Sequence, residues 1–280
     1  LLADEDHGVV RLIPLPVDVQ NPPKEVKIPG APAQVLALDG RVLVTVRSEN
    51  APIPGMPGAE EPPPTPYPGA QPGVPSGTGP GLLLILKPDA DSGLVEVGRV
   101  ALPQDAWGLA ISPDESTVLV TSAWSHKVSA VDLATATLRW TVDVAREPRA
   151  VVIAADGKRA YVAHLVGADL TRIDDLGGEP SVHVVGLPAS PLRSPYGQKT
   201  SASLAYSATL SPDGKRLFVA RHALGAEGPQ VWFGAATVDV LRTTDDTPLA
   251  PARSTAAAMV VGMEPQFMLD DAASGGRAPR

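Results

Sequence analysis

The 280-residue sequence contains no cysteine. This absence excludes disulfides, cysteine-ligated zinc, iron–sulfur clusters and covalent c-type haem attachment within the chain. We therefore predict no cofactor and no metal held by this chain. The composition fits an exported protein that avoids stray thiols, in the periplasm, outside the cell or on its surface.

Long hydrophobic runs and clusters of basic residues are missing as well. No apolar stretch reaches the length needed to cross a bilayer. The formal net charge of −8 and the lack of a Lys/Arg run argue against binding to nucleic acid or to an anionic membrane surface. The chain opens on Leu1 without a basic segment or a long apolar stretch, so we expect a processed or truncated start.

One motif occurs four times in the sequence. It consists of a strand, a tight turn with Asp and usually Gly at its tip, and a second strand. The turns are Asp39-Gly40, Asp114-Glu115, Asp156-Gly157 and Asp213-Gly214. The second and third turns are 42 residues apart, and the other steps of 75 and 57 residues shrink to about 42 once an insertion is removed from each.

Each period of about 42 residues contains four short strands rich in β-branched residues and separated by turns. This pattern predicts an all-β fold, a β-propeller of four-stranded blades. A single blade cannot bury both faces of its sheet, whereas stacked blades can, so the unit must repeat. No segment keeps a helical period over about three turns, and we expect little helix.

The repeat predicts where the blades lie. We assign a half blade to residues 1–29, four blades to 32–103, 105–145, 147–188 and 203–254, and an irregular segment or the start of a further blade to 255–280. A Pro/Gly-rich insertion at 51–80 interrupts the first full blade. We expect part of a larger ring. Closure as a five-bladed ring and an open arc completed by a partner are the alternatives.

The repeats resemble the YVTN family of bacterial β-propeller repeats. The resemblance rests on segments such as Asp156-Gly157-Lys158-Arg159-Ala160-Tyr161-Val162-Ala163 and Val131-Asp132-Leu133-Ala134-Thr135. It implies an exported propeller with a seven-bladed ring, of which this chain would form part. Some family members are binding or surface proteins, and in others the propeller is fused to a di-haem cytochrome c peroxidase-like domain.

Loops that join successive blades, and those that join the second and third strands of each blade, lie on one face of a propeller. We predict a site for a protein partner or a small ligand on that face. Indole and imidazole rings suit polar and aromatic contacts, and guanidinium groups suit carboxylate or phosphate. The candidate residues are Trp107, Trp124, His126, Arg149, His164, Arg221 and His222.

No catalytic constellation is visible in the sequence. The carboxylate pairs Asp174-Asp175 and Asp245-Asp246 stand at strand ends, where Asp commonly caps a turn. We therefore predict a non-catalytic binding and scaffold module. The alternative is the propeller portion of a larger redox or electron-transfer protein whose di-haem domain lies outside this chain.

Overall fold

The computed structural model describes residues 1–16, 20, 22–49, 79–188, 202–226, 232–254 and 259–261. For residues 202–203, 223–226, 232–235, 250–254 and 259–261 it describes strand pairing alone. Residues 51–78 of the predicted insertion, and most of the segment 255–280, lie outside the described residues.

Within these ranges the secondary structure consists of β-strands connected by turns. In the first half of the chain they are β1 (Leu2–Asp4), β2 (Val9–Leu12), β3 (Lys24–Lys27), β4 (Gly30–Leu38), β5 (Arg41–Glu49), β6 (Gly81–Asp89), β7 (Gly93–Leu102), β8 (Ala106–Ile111), β9 (Thr117–Ser122), β10 (Lys127–Asp132) and β11 (Thr137–Asp143). They continue with β12 (Pro148–Ile153), β13 (Arg159–His164), β14 (Asp169–Asp174), β15 (Ser181–Gly186), β16 (Ala202–Leu210), β17 (Arg216–Ala226), β18 (Trp232–Arg242), β19 (Pro248–Ser254) and β20 (Met259–Val261).

Successive strands pair antiparallel with their neighbours in sequence. The first sheet has three strands, β1 to β3. Four-stranded sheets follow as β4 to β7, β8 to β11 and β12 to β15. The last sheet runs from β16 to β19, and β20 pairs with β18. These successive antiparallel meanders match β-propeller blades, which confirms the predicted fold class. The number of blades stays a prediction.

The chain divides into two compact units. The first comprises Leu1–Ala110 and Glu115–Asp143. Its core includes aliphatic side chains between the sheet of β1 to β3 and the sheet of β4 to β7, with Val10, Val44 and Leu84 fully buried. Alternate residues of a strand point to the same face, so one face of each sheet contributes to this apolar layer.

The second unit comprises Ile111–Asp114 and Val144–Arg280. Its described core lies between the sheet of β12 to β15 and the sheet of β16 to β19, where Tyr161, Leu170, Leu217 and Leu241 are almost completely buried. Packing of one sheet on the next removes apolar side chains from water on facing sides, which explains why a lone blade would be unstable.

The repeated turn motif has a common geometry. Gly157 and Gly214 adopt φ values of 68° and 67°, and each donates its N–H to the carbonyl three residues earlier, over 2.9 and 2.8 Å. Glycine reaches this left-handed region without steric cost. Glu115 occupies the same place in the second copy with a φ of 56°, although a side chain disfavours that conformation.

Candidate functional site

A left-handed residue stands near the start of the inner strand in three blades, directly before β8 and β12 and as the third residue of β16. Asp105, Glu147 and Leu204 have φ values of 65°, 49° and 54°. The N–H of Asp105 donates to the carbonyl of Arg47 over 2.6 Å, and that of Leu204 to Leu165 over 2.9 Å. These bonds tie the entrance of one blade to the end of the second strand of the preceding blade.

The residue two positions later is half-buried in β8 and β12 and exposed in β16. These residues are Trp107, Arg149 and Tyr206. Trp107 and Arg149 were predicted as site residues from the sequence, but the left-handed residues before them were not. Asp, Glu and Leu share no chemical type, and without a glycine the sequence carries no signal for a positive φ.

In the first unit, Arg47 connects two carboxylates and an indole ring. Its Nε donates to Asp105 Oδ1 over 2.6 Å, another guanidinium nitrogen donates to Glu5, and its carbon lies 4.9 Å from the Trp107 ring centroid. Burial opposes the charge, but the hydrogen bonds and charges of Asp105 and Glu5 outweigh it and raise the pKa of Arg47. The indole face adds a cation–π contact.

Trp124 lies on the other side of the same carboxylate. Its backbone N–H donates to Asp105 Oδ2 over 3.2 Å, while its side chain remains 44% exposed. The neighbouring Ser125 hydroxyl donates to the Gln104 carbonyl over 2.7 Å. Because Asp105 is buried, the turn that carries the exposed indole is anchored to the interior.

His126 follows in the same turn between β9 and β10. It is half-buried, adopts a φ of 56°, and donates its N–H to the Ala123 carbonyl over 3.3 Å. Of the seven predicted site residues, Trp107, Trp124 and His126 therefore lie in the first unit. We call Arg47, Trp107 and Trp124, gathered about Asp105, the tryptophan surface.

In the second unit, His164 and Arg221 are buried. The ring nitrogens of His164 lie 2.9 Å from the Arg146 carbonyl and 2.8 Å from Thr171 Oγ1. Arg221 donates to Asp239 from Nε and to the Pro188 carbonyl over 2.8 Å. These contacts hold both buried side chains in place, and their part in binding stays a prediction.

Arg149 and His222 lie nearer to solvent. Arg149 donates to Glu147 Oε2 over 2.7 Å, which forms a half-buried ion pair at the entrance of β12. His222, on β17, is half-buried beside an open cavity of about 420 Å³. The cavity lies at a bulge in β16. Three residues separate Ser203 from Ser207 there, whereas a single residue separates their partners His222 and Ala220 on β17.

One carboxylate of each candidate catalytic pair, Asp174 and Asp246, is bound by arginine. Asp174 accepts hydrogen bonds from Arg159 and Arg172, and Asp246 accepts from Arg172 and from the Tyr161 hydroxyl. Burial alone would raise the pKa of Asp174, but the two arginines lower it overall. This network joins β13 and β14 to the turn after β18.

No group of three or more His, Asp or Glu side chains in the described part of the chain is arranged to hold a metal ion. Across the same residues, no helix is long and apolar enough to cross a membrane. The described arginines of the candidate region, Arg47, Arg149 and Arg221, already bind carboxylates of the chain. An anionic ligand would have to compete with these carboxylates for the guanidinium groups.

Comparison with known proteins extends to the fold alone. No family model matches the sequence, and no curated protein matches it either. A candidate 6-phosphogluconolactonase from Bacteroides uniformis is similar in structure at 11% identity, covering 92% of this chain and 80% of that chain, with a TM-score of 0.48. Another from Bacteroides fragilis has 12% identity, coverage of 84% and 59%, and a TM-score of 0.48.

Hydrazine synthase from Kuenenia stuttgartiensis is also similar, at 19% identity and a TM-score of 0.35, with 65% of this chain and 63% of that chain covered. The chain thus spans less than two thirds of the Kuenenia and Bacteroides fragilis proteins. At such identities nothing about activity can be transferred, because one fold supports many functions.

Proposed function

We propose that this chain is an exported, non-catalytic binding and scaffold module built from YVTN-type propeller repeats. It presents a loop-rich face to a protein partner or a small ligand. The observation that carries the proposal is Trp124, a large aromatic side chain that is 44% exposed on a turn anchored to buried Asp105.

An exposed tryptophan on an ordered turn favours a contact surface. Tryptophan and arginine are enriched where partners gain most of their binding energy, and a side chain that is already held in place loses little entropy on binding. In the tryptophan surface, Arg47 is already paired with both Asp105 and Glu5, so the surface offers its aromatic area to a partner rather than a free cation.

The test compares Trp124→Ala with Leu138→Ala in the full chain. Leu138 on β11 is 45% exposed and serves as a matched control, since both changes remove a similarly exposed apolar side chain. A panel of peptides, glycans and small anions would be screened for binding and for turnover. We expect one class of ligand whose affinity falls about tenfold or more in Trp124→Ala and stays unchanged in Leu138→Ala.

An affinity that is unchanged in Trp124→Ala, or turnover of any compound in the panel, would contradict the proposal. The alternative, that the chain is the propeller portion of a redox protein with a di-haem domain elsewhere, stays a prediction. Intact mass and an optical spectrum of the natively isolated protein would test that alternative.

A further inference from the structure

In each sheet the strand that comes last in the sequence forms one edge, and β15 differs in composition from the other last strands. Such an edge carries unpaired N–H and C=O groups on every second residue, which can template another strand. Natural proteins protect these edges with charges or prolines. Such charges or prolines occur in the other last strands: Lys24 and Glu25 in β3, Glu96 and Arg99 in β7, Arg139 and Asp143 in β11, and Pro248 in β19.

β15 has the sequence Ser-Val-His-Val-Val-Gly, with no Asp, Glu, Lys, Arg or Pro. Among the described residues it pairs only with β14, and no described strand covers its other edge. Val184 is 74% exposed and Val182 is exposed on the same face, while His183 is exposed on the other. Solvent therefore reaches both faces beside this edge, which leaves room for another strand.

Acidic side chains flank both ends of this uncharged strand. Asp169 pairs with Gly186 at one end, and its carboxylate lies 3.8 Å from where a Cβ of Gly186 would be. Asp175 and Glu179 are exposed in the turn that leads to Ser181 at the other end. None of these three carboxylates forms an ion pair with a described residue.

We propose that the β15 edge is a docking site for an extended segment of another protein, with apolar side chains at alternate positions and basic residues at both ends. Main-chain hydrogen bonds would add the segment as a fifth strand. Val182 and Val184 would contact its alternate apolar side chains, and the flanking carboxylates would attract its basic ends. This inference goes beyond the proposed function and does not depend on the tryptophan surface.

Charge argues against a second copy of this chain as the occupant. Antiparallel pairing of two β15 strands would bring Asp169 of one chain toward Asp175 and Glu179 of the other. Like charges that face each other across a strand pair are destabilising. A basic-flanked segment avoids this repulsion at both ends.

The experiment is a fluorescence anisotropy titration of the full chain with a synthetic peptide of alternating Thr and Val, capped at both ends by lysines. A glutamate-capped peptide and a lysine-capped peptide with a central proline serve as comparisons. We expect the lysine-capped peptide to bind about tenfold more tightly than either, and its affinity to fall as salt is added.

Two variants locate the site. Val184→Lys places a protective charge on the β15 edge and should weaken binding about tenfold. Val97→Lys on β7 is the control, because Val97 is 51% exposed on a strand that already carries charges. Thermal unfolding would confirm that both variants fold. Hydrogen exchange of the unmodified chain should slow at residues 181–186 when the peptide is added.

Equal binding by both variants, or unchanged exchange at residues 181–186, would overturn the proposal. A dimer in sedimentation velocity that Val184→Lys dissociates would also overturn it, since the occupant would then be a second copy.

Discussion

Replacement of Tyr161 by Phe tests whether the arginine–carboxylate network stabilises the second unit. The Tyr161 ring is 1% exposed in the core, so Phe can keep its packing while the hydroxyl is removed. That hydroxyl lies 2.7 Å from Asp246 Oδ1 and 3.1 Å from the Thr243 carbonyl. A hydrogen bond to a charged group contributes about 1.5–3 kcal/mol. Because Asp246 keeps its bond from Arg172, we expect a loss of about 1.5–2 kcal/mol at pH 8.

The same variant should change how stability depends on alkaline pH. Burial, followed by the hydrogen bond to Asp246, raises the pKa of Tyr161 from 10.0 to about 12. The folded state therefore holds this proton more tightly than the unfolded state. The stabilisation is fully present below pH 10 and is lost as the pH rises toward 12, with a magnitude of roughly 2 kcal/mol.

Urea unfolding at a series of pH values from 8 to 11.5 would measure both effects. The difference in unfolding free energy between the wild type and Tyr161→Phe should shrink across the alkaline range. Tyr206→Phe is the matched control, because Tyr206 is 62% exposed and its replacement should cost little at any pH. A difference below about 0.5 kcal/mol at pH 8, or one that stays constant up to pH 11.5, would refute the reasoning.

Three further outcomes follow from the described contacts. Glu115→Gly should raise the unfolding free energy by about 0.5–1 kcal/mol, because Glu115 has a left-handed φ of 56°; a decrease on urea unfolding would contradict this. Arg221→Met should lower the unfolding free energy by about 3 kcal/mol or more, because Asp239 would remain buried without its cation. Adding Asp239→Leu should recover part of this loss, and no recovery would argue against the ion pair. The hydrogen bond from His7 lowers the pKa of Asp4 from 3.8 to about 2. The stabilisation that ionised Asp4 contributes is therefore present above about pH 4 and is lost as the pH falls toward 2. An NMR titration that gives Asp4 an ordinary pKa would disprove the contact.

Much of the fold could be predicted because the information is local. Turns such as Asp156-Gly157 and Asp213-Gly214 need only a glycine with positive φ and an Asp that caps its own backbone, with each Asp accepting the N–H two residues later. The alternation of polar and apolar residues then determines which strand face is buried. These features predicted four-stranded antiparallel sheets, and the sheets of β4 to β19 confirm them.

The candidate site could be predicted only in part. The repeat pattern predicted that Trp124 lies in a loop of the candidate face, but Arg47 carried no such signal, because its position matters only through Asp105 and Trp107, which are close to it in space. It also treated His164 and Arg221 as surface residues. Histidine and arginine are usually exposed, and only their bonding partners allow them to be buried.

The sequence by itself determined the repeat, the strand order within each blade and the places where the chain turns, because these depend on residues close together along the chain. Only the tertiary structure decided which polar residues face solvent. Arg221 is buried because Asp239, Ala168 and Pro188 reach it from other strands and loops, and such partners have no fixed sequence spacing. The β15 edge also required the structure, because an edge is recognised by which of the described strands lie beside it in space.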